Sequence, residues 1–262
     1  MFIDSHCHLD FSEFDADRAE VISRAKTAGV NRFIVPGVAQ QYWQRQLALA
    51  AKFPECQLAF GVHPWFLNDC NCDFNWQSLD ELASYAERED CIAIGECGVD
   101  GVKPDIDLQL KVFEAQIELA NQVGKPLIVH HRRSHHHIQA AFKRVKPENG
   151  GIIHAFSGSL VEAEKYLALG FKLGCGGVIT YDRAEKTRTV FQQLGLAHLV
   201  LETDSPSMPL HGFQGQRNEP VRIVDVVETL AVLLNISAEE IGRITSENVA
   251  QLFSTADNKL VC

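Results

Sequence analysis

Histidine, glutamate and aspartate recur in this chain at the ends of short apolar runs. The first run ends in His6-Cys7-His8, and others reach His63, Glu96, His130, His154 and Asp204. Residues two apart on an extended segment project to the same side, so His6 and His8 can grip one ion while Cys7 points away. Asp4 shares their parity and lies deeper, where it is predicted to orient an imidazole by accepting a hydrogen bond. One histidine at such a place is usually just hydrogen-bonded. Six runs delivering such side chains to one rim make coincidence a poor explanation. Imidazole with carboxylate suits zinc, manganese, iron or cobalt, and magnesium where carboxylates dominate. One catalytic ion typically takes about three protein ligands. His6, His8, Glu96, His130, His154 and Asp204 exceed that, so two divalent ions (magnesium, manganese or zinc) are predicted, with Glu96 bridging. Such a pair can activate water and clamp a phosphoryl or tetrahedral centre.

These side chains converge only if the runs are neighbouring parallel strands. Val/Ile-rich runs predict strands over 2–6, 32–36, 57–62, 91–96, 126–130, 151–154, 171–173 and 199–203. Amphipathic patterns predict helices over 15–28, 40–52, 76–88, 106–123, 134–145, 159–169 and 183–194, then a longer helical stretch from about 219. Gly29, Gly124, Gly170 and Gly195 follow helical patterns as left-handed C-caps, and Ser237 opens a capping box with Glu240. Strand and helix alternate throughout, and no Gly-x-Gly-x-x-Gly follows the first strand. The prediction is an α/β fold, a closed (β/α)8 TIM barrel, with its chemistry at the C-terminal ends of the strands. The 262 residues suit one barrel. One domain over 1–254 is expected, with a flexible tail over 255–262.

A net charge of −10 argues against a sequence-independent duplex binder. It leaves room for a nuclease acting on an end or a single strand, because bound cations invert the local field. The eight cysteines (7, 56, 70, 72, 91, 97, 175 and 262) form no C-x-x-C pair and are read as reduced, mostly buried thiols. There is no long apolar run and no signal-peptide pattern at Met1. A soluble cytoplasmic protein is expected, with no membrane or protein partner inferred, and a monomer suffices.

Other polar residues admit two readings. His135, His136 and His137 are read as the solvated start of a helix rather than a metal tract. Arg132 has the fork geometry to meet phosphate oxygens, or it is a surface ion pair. Ser157-Gly158-Ser159 either cradles phosphate with backbone N–H groups or supplies only an N-cap at Ser159. Arg217-Asn218-Glu219-Pro220 is read as the N-terminal cap of the last long helix.

Taken together, Asp4-Ser5-His6-Cys7-His8-Leu9-Asp10, Gly61-Val62-His63-Pro64, Ile94-Gly95-Glu96-Cys97-Gly98-Val99-Asp100, His154-Ala155-Phe156-Ser157-Gly158, Leu201-Glu202-Thr203-Asp204-Ser205-Pro206 and Asn218-Glu219-Pro220 resemble the TatD family of metal-dependent deoxyribonucleases. The resemblance runs from Phe2 to about Phe253. The segments 180–188 and 208–215 look closer to its YjjV-type branch. The resemblance implies a barrel of the amidohydrolase-like, metal-dependent hydrolase type. It implies one ion on His6, His8, Glu96 and Asp204, a second on Glu96, His130 and His154, and substrate contacts from His63 and Arg132. His130, rather than His131, takes the place of the family's histidine after strand five. Gly101-Val102-Lys103-Pro104 stands where the family often has a tyrosine-containing segment, His131 where a serine is common, and Ala155 where a cysteine is common. The implied activity is phosphodiester cleavage in DNA ends or single-stranded DNA by a metal-activated water, with Asp204 as general base and Glu96 also catalytic. The alternative is a small-molecule amide or lactone hydrolase, or a deaminase, of the amidohydrolase superfamily.

Overall fold

The computed structural model describes residues 1–67 and 75–253. Cys70, Cys72, Cys262 and the tail expected over 255–262 lie outside the described residues. Eight strands, β1 (Phe2–Asp4), β2 (Val30–Pro36), β3 (Cys56–Phe60), β4 (Cys91–Asp100), β5 (Leu127–Arg132), β6 (Gly151–Ile153), β7 (Phe171–Cys175) and β8 (Leu199–Leu201), pair in chain order. Every pair is parallel. The seam between first and last strand is bridged where Ser5 N–H donates to Leu201 O (2.8 Å) and Asp204 N–H to His6 O (2.9 Å). Helices α1 (Arg18–Thr27), α2 (Gln40–Lys52), α3 (Gln77–Ala86), α4 (Ile106–Gln122), α5 (His135–Arg144), α6 (Leu160–Leu167) and α7 (Glu185–Leu194) each follow one strand. Two more, α8 (Ile223–Leu234) and α9 (Ala238–Phe253), follow β8. This is the (β/α)8 barrel that the alternating pattern predicts.

Alternation along each strand builds two apolar layers. Inside the barrel Ile3, Ile34, Ala59, Ala93, Ile128, Ile152 and Val200 pack together, joined by Val249 and Phe253 of α9. Asn248, also on α9, donates to Leu196 O and Leu199 O at the start of β8 (both 2.8 Å). The last helix therefore stops the N-terminal end of the barrel and leaves the opposite end for the polar residues. Between strands and helices lies the larger layer, in which Phe60, Trp43 and Tyr85 pack ring to ring. Full burial of one such side chain stabilises the fold by about 1.5–3 kcal/mol. Among the described residues no helix is long and apolar enough to cross a membrane.

The elements depart from the expected bounds in ways that matter for the site. β4 runs on to Asp100 and β5 to Arg132, while β1, β3, β6 and β8 stop short of 6, 62, 154 and 203. Isolated bonds replace the regular ladder there, as where His154 N–H donates to Val129 O (2.9 Å). The helical stretch expected from 219 divides because Asn235 takes a left-handed φ of 53°, which asparagine tolerates. Ser237 Oγ accepts from Glu240 N–H (3.2 Å), but the Glu240 carboxylate goes to Arg243 rather than back to Ser237, so that box is half formed. The complete box is at Ser159 and Glu162. Ser159 N–H donates to the Glu162 carboxylate (2.5 Å), so the Ser157-Gly158-Ser159 turn serves as a helix cap.

Candidate metal centre

Four donor atoms from opposite ends of the chain meet at the C-terminal end of the barrel. His6 Nε2 lies 3.1 Å from Glu96 Oε2, 3.3 Å from His8 Nε2 and 3.6 Å from Asp204 Oδ1. His8 Nε2 is 3.5 Å from both Glu96 Oε2 and Asp204 Oδ1. Ligands on a common ion with bonds near 2.1 Å sit about 3.0–3.4 Å apart. The 3.1 and 3.3 Å spacings from His6 to Glu96 and His8 fit, and the 3.5 and 3.6 Å spacings are slightly wide. His6, His8 and Glu96 are all buried. Buried imidazoles and carboxylates gathered with their lone pairs facing one point form a donor set that divalent metals take.

The other Glu96 oxygen faces a different group. Glu96 Oε1 lies 3.1 Å from His130 Nδ1 and 3.4 Å from His63 Nε2. His154 stacks on His6 with ring centroids 3.6 Å apart, and its Nε2 is 3.6 Å from Asp204 Oδ1. His63 is thus brought closer to Glu96 and His130 than the resemblance implied, and His154 closer to Asp204 and His6.

Each ring's second nitrogen decides what the first can do. His63 Nδ1 accepts the Trp65 N–H (3.1 Å). A neutral His63 therefore carries its proton on Nε2, which is a donor and not a metal ligand. Burial holds it neutral by pushing its pKa down to about 4, against the pull of Glu96. His130 is reversed, because Nε2 faces Asp100 Oδ2 at 3.4 Å and leaves the lone pair of Nδ1 toward Glu96. In His154, Nδ1 lies 3.1 Å from Glu202 Oε1, and Nε2 is the nitrogen turned toward Asp204.

Asp100 and Glu202 are site residues that reading for strand ends passed over. Asp100 lies on β4 beyond Glu96 and accepts from Trp65 Nε1–H (2.5 Å) and Val102 N–H (2.8 Å). Burial pushes its pKa up, but the bonds from His130, Trp65 and Val102 outweigh this and hold it below the usual range. Glu202 stands two residues before Asp204, is 1% exposed, and accepts from Ala155 N–H (2.7 Å). Its carboxylate fills the space over Gly174, where a Cβ would come within 2.2 Å of Oε2. Parity with a ligand is the signal that could have found both.

Backbone arrangement brings Glu96 inward. The β4–β5 register shifts between Ile94 and Cys97, and such an irregularity re-aims side chains. At Gly98 (φ 139°) a Cβ would meet His130 O at 2.1 Å, so the two strands that carry these groups lie backbone against backbone. Asp4 does not orient an imidazole. Its carboxylate accepts from His6 N–H (3.2 Å), Thr203 N–H (3.0 Å) and the Thr203 hydroxyl (2.6 Å), fastening the end of β1 to the segment after β8. Being level with the backbone rather than the rings, it is too deep for the role expected.

Asn218 does not cap a helix either. Its Nδ2 donates to Thr203 O (2.8 Å) and Ser207 O (2.9 Å), closing the loop that carries Asp204. Asp204 itself has a φ of 57°, uncommon for a residue with a side chain. His135, expected in solvent, is half-buried with Nδ1 2.9 Å from the Tyr166 hydroxyl, while His136 is exposed. The five described cysteines are buried thiols, and Cys7 turns away to Ile34 O (3.8 Å).

Above these groups opens a cavity of about 520 Å³ whose lining includes Glu96, His130, Asp204, Trp65 and Arg132. The Arg132 side chain lines this cavity and makes no ion pair among the described residues.

The sequence model of the TatD related DNase family matches residues 3–254. The chain belongs to the TatD family. Similar TatD-type proteins include YjjV of Escherichia coli K12, described as an uncharacterized metal-dependent hydrolase. It is 41% identical over 257 residues, covering 97% of this chain and 98% of that one. A crystal structure of E. coli YjjV, a TatD homologue, matches with a TM-score of 0.91 at 40% identity, covering 97% and 98% of the two chains. A Danio rerio protein described as a putative deoxyribonuclease, tatdn3, is 29% identical over 265 residues and covers 97% of each chain. This TatD protein is a metal-dependent hydrolase, and its buried His/Glu groups are able to hold metal.

Proposed function

We propose that this protein is a two-metal deoxyribonuclease that cleaves phosphodiester bonds at DNA ends or in single-stranded DNA, working in the cytoplasm as a one-domain enzyme. The observation that carries the reading is the division of Glu96, whose Oε2 faces His6 and His8 while Oε1 faces His130. A carboxylate shared in this way suits a bridge between two ions. His6, His8, Glu96 and Asp204 would hold one, and Glu96, His130 and His154 the other. Divalent magnesium, manganese or zinc there would supply Lewis acidity toward phosphoryl oxygens and lower the pKa of water.

The chain's own groups account for the rest. Asp204 is the general base that takes a proton from the attacking water. Burial pushes its pKa up, but His154, His8 and His6 outweigh this and keep the carboxylate ionised. His63 Nε2–H is a neutral donor for an oxygen of the substrate. Arg132 at the cavity rim meets phosphoryl oxygens with a fork that matches them and stabilises the charge that builds there. The net charge of −10 and apolar lining such as Phe11, Phe66 and Val38 favour a second reading, a small-molecule amide or lactone hydrolase.

The deciding experiment restores magnesium, manganese or zinc to metal-stripped protein and follows nucleotide release from single-stranded DNA, beside Glu96→Ala. Metal-dependent release that disappears in the variant supports the nuclease. A protein that binds two ions yet releases nothing with any metal transfers the assignment to a small-molecule substrate.

A further inference from the structure

Most arginines of this acidic chain are paired. Arg24, Arg45, Arg88, Arg144, Arg217 and Arg243 each meet a carboxylate. Arg132 and Arg133 are exceptions. Both are exposed, both line the cavity over the metal centre, and neither side chain has an ion-pair or hydrogen-bond partner among the described residues. Strand alternation alone would separate them, because neighbours on an extended chain point to opposite sides. Arg133 escapes that rule by adopting a left-handed φ of 53°, which is uncommon for a residue with a side chain and is kept where the surroundings enforce it.

The surroundings do enforce it. Gly101 N–H donates to Arg132 O (2.8 Å), and Arg132 N–H donates to the hydroxyl of Ser134 (3.1 Å). That hydroxyl is fully buried and donates to Val99 O (2.5 Å). Gly101 also lies so close that a Cβ there would come within 2.6 Å of Arg133 O. The turn that brings both arginines to the cavity lining is thus fastened by Gly101, just past β4, and by Ser134, just before α5.

We propose that Arg133 is a second anion-binding residue, which holds a phosphate next to the one being hydrolysed and so selects chains carrying several phosphates over single phosphodiesters. The inference rests on the phosphodiesterase reading above and refines its substrate class. Arg132 serves the reacting phosphate, and Arg133 serves its neighbour. Two guanidinium forks in an otherwise negative molecule also make binding depend on salt, because each phosphate neutralised releases counterions.

The test compares wild type, Arg133→Gln, and Lys143→Gln, an exposed charge loss on α5 outside the cavity lining. Binding of 5′-fluorescein pentathymidylate to the metal-loaded protein is followed by anisotropy across a salt series. Hydrolysis of bis(p-nitrophenyl) phosphate, which has one phosphate, is measured alongside. Arg133→Gln is expected to weaken pentathymidylate binding by about tenfold and to flatten the slope of log K against log salt by about one. Its turnover of bis(p-nitrophenyl) phosphate should stay within about twofold of wild type. An effect on binding no larger than that of Lys143→Gln overturns the proposal, as does an equal loss on the single-phosphate substrate. A wild type that hydrolyses bis(p-nitrophenyl) phosphate but does not bind pentathymidylate overturns it too, while phosphodiester hydrolysis stands. A wild type inert toward both substrates that still binds pentathymidylate through Arg133 supports the residue's role and sinks the hydrolytic reading.

Discussion

Glu202 and His154 meet inside the barrel, carboxylate oxygen to Nδ1 at 3.1 Å, on the side of the imidazole away from Asp204. A carboxylate in that position sets the tautomer and raises the basicity of the nitrogen that faces the metal. Glu202→Gln should therefore lower metal affinity by about 10–100-fold with the fold intact. Chelator competition beside far-UV circular dichroism checks this, and unchanged affinity would remove Glu202 from the centre.

Metal stoichiometry tests the sharing of Glu96. His130→Ala should retain one ion per chain and Glu96→Ala should retain neither tightly, read by elemental analysis after gel filtration. Two ions remaining in His130→Ala would contradict the assignment of Nδ1 as a ligand.

Asp204→Asn should keep the barrel and reduce turnover by about 10²–10⁴-fold, the range for loss of a general base. Near-normal activity of a correctly folded, metal-loaded variant would reassign the base.

The metal-free protein should be sensitive to alkali. Burial works against a charged His8, but Asp204 and Glu96 outweigh it and raise its pKa to about 10, above the ordinary 6.5. A raised pKa contributes stability that is complete below about pH 6.5 and is lost as pH climbs through about 10. The thermal midpoint of stripped protein should fall across that window, with His8→Gln flattening the fall. Between pH 7 and 9, metal must displace the His8 proton, so binding should release protons and tighten as pH rises. Calorimetry in buffers of different ionisation enthalpy measures both. A pH-independent affinity would show that His8 is neutral in the empty site.

Asn218→Ala removes the clasp on the Asp204 loop and leaves buried carbonyls unpaired, at a cost of about 1–3 kcal/mol. Turnover should fall as well, although Asn218 does not line the cavity. A loss of stability with activity unchanged would separate the clasp from the chemistry.

The barrel was legible because its information is periodic. Val- and Ile-rich runs alternate with amphipathic segments, and His, Glu and Asp stand where the runs stop. The six expected donors do meet at one end of the barrel. What stayed hidden depends on partners from other strands. The proton on His63 is assigned by a backbone N–H of Trp65, Asp100 takes its meaning from Trp65 and His130, and Glu202 from His154. Parity with Glu96 and Asp204 puts Asp100 and Glu202 on the ligand side, but the order of residues does not say which partner each meets. Local pattern also misjudged Asp4, whose carboxylate ties backbone segments together, and it drew one helical stretch from about 219 even though the capping box at Ser237 already marks a new start just past Asn235.

The stopper helix α9 has a consequence for how the enzyme comes into being on the ribosome. His6 and His8 emerge before the other donors, Asp204 arrives nearly two hundred residues later, and the floor beneath them is α9, the last helix among the described residues. A nascent chain therefore carries His6, His8 and Glu96 through much of its synthesis without Asp204 to complete the set. Metal acquisition becomes a late event that reports on completion, and a chain truncated before α9 should leave the ribosome without a competent centre.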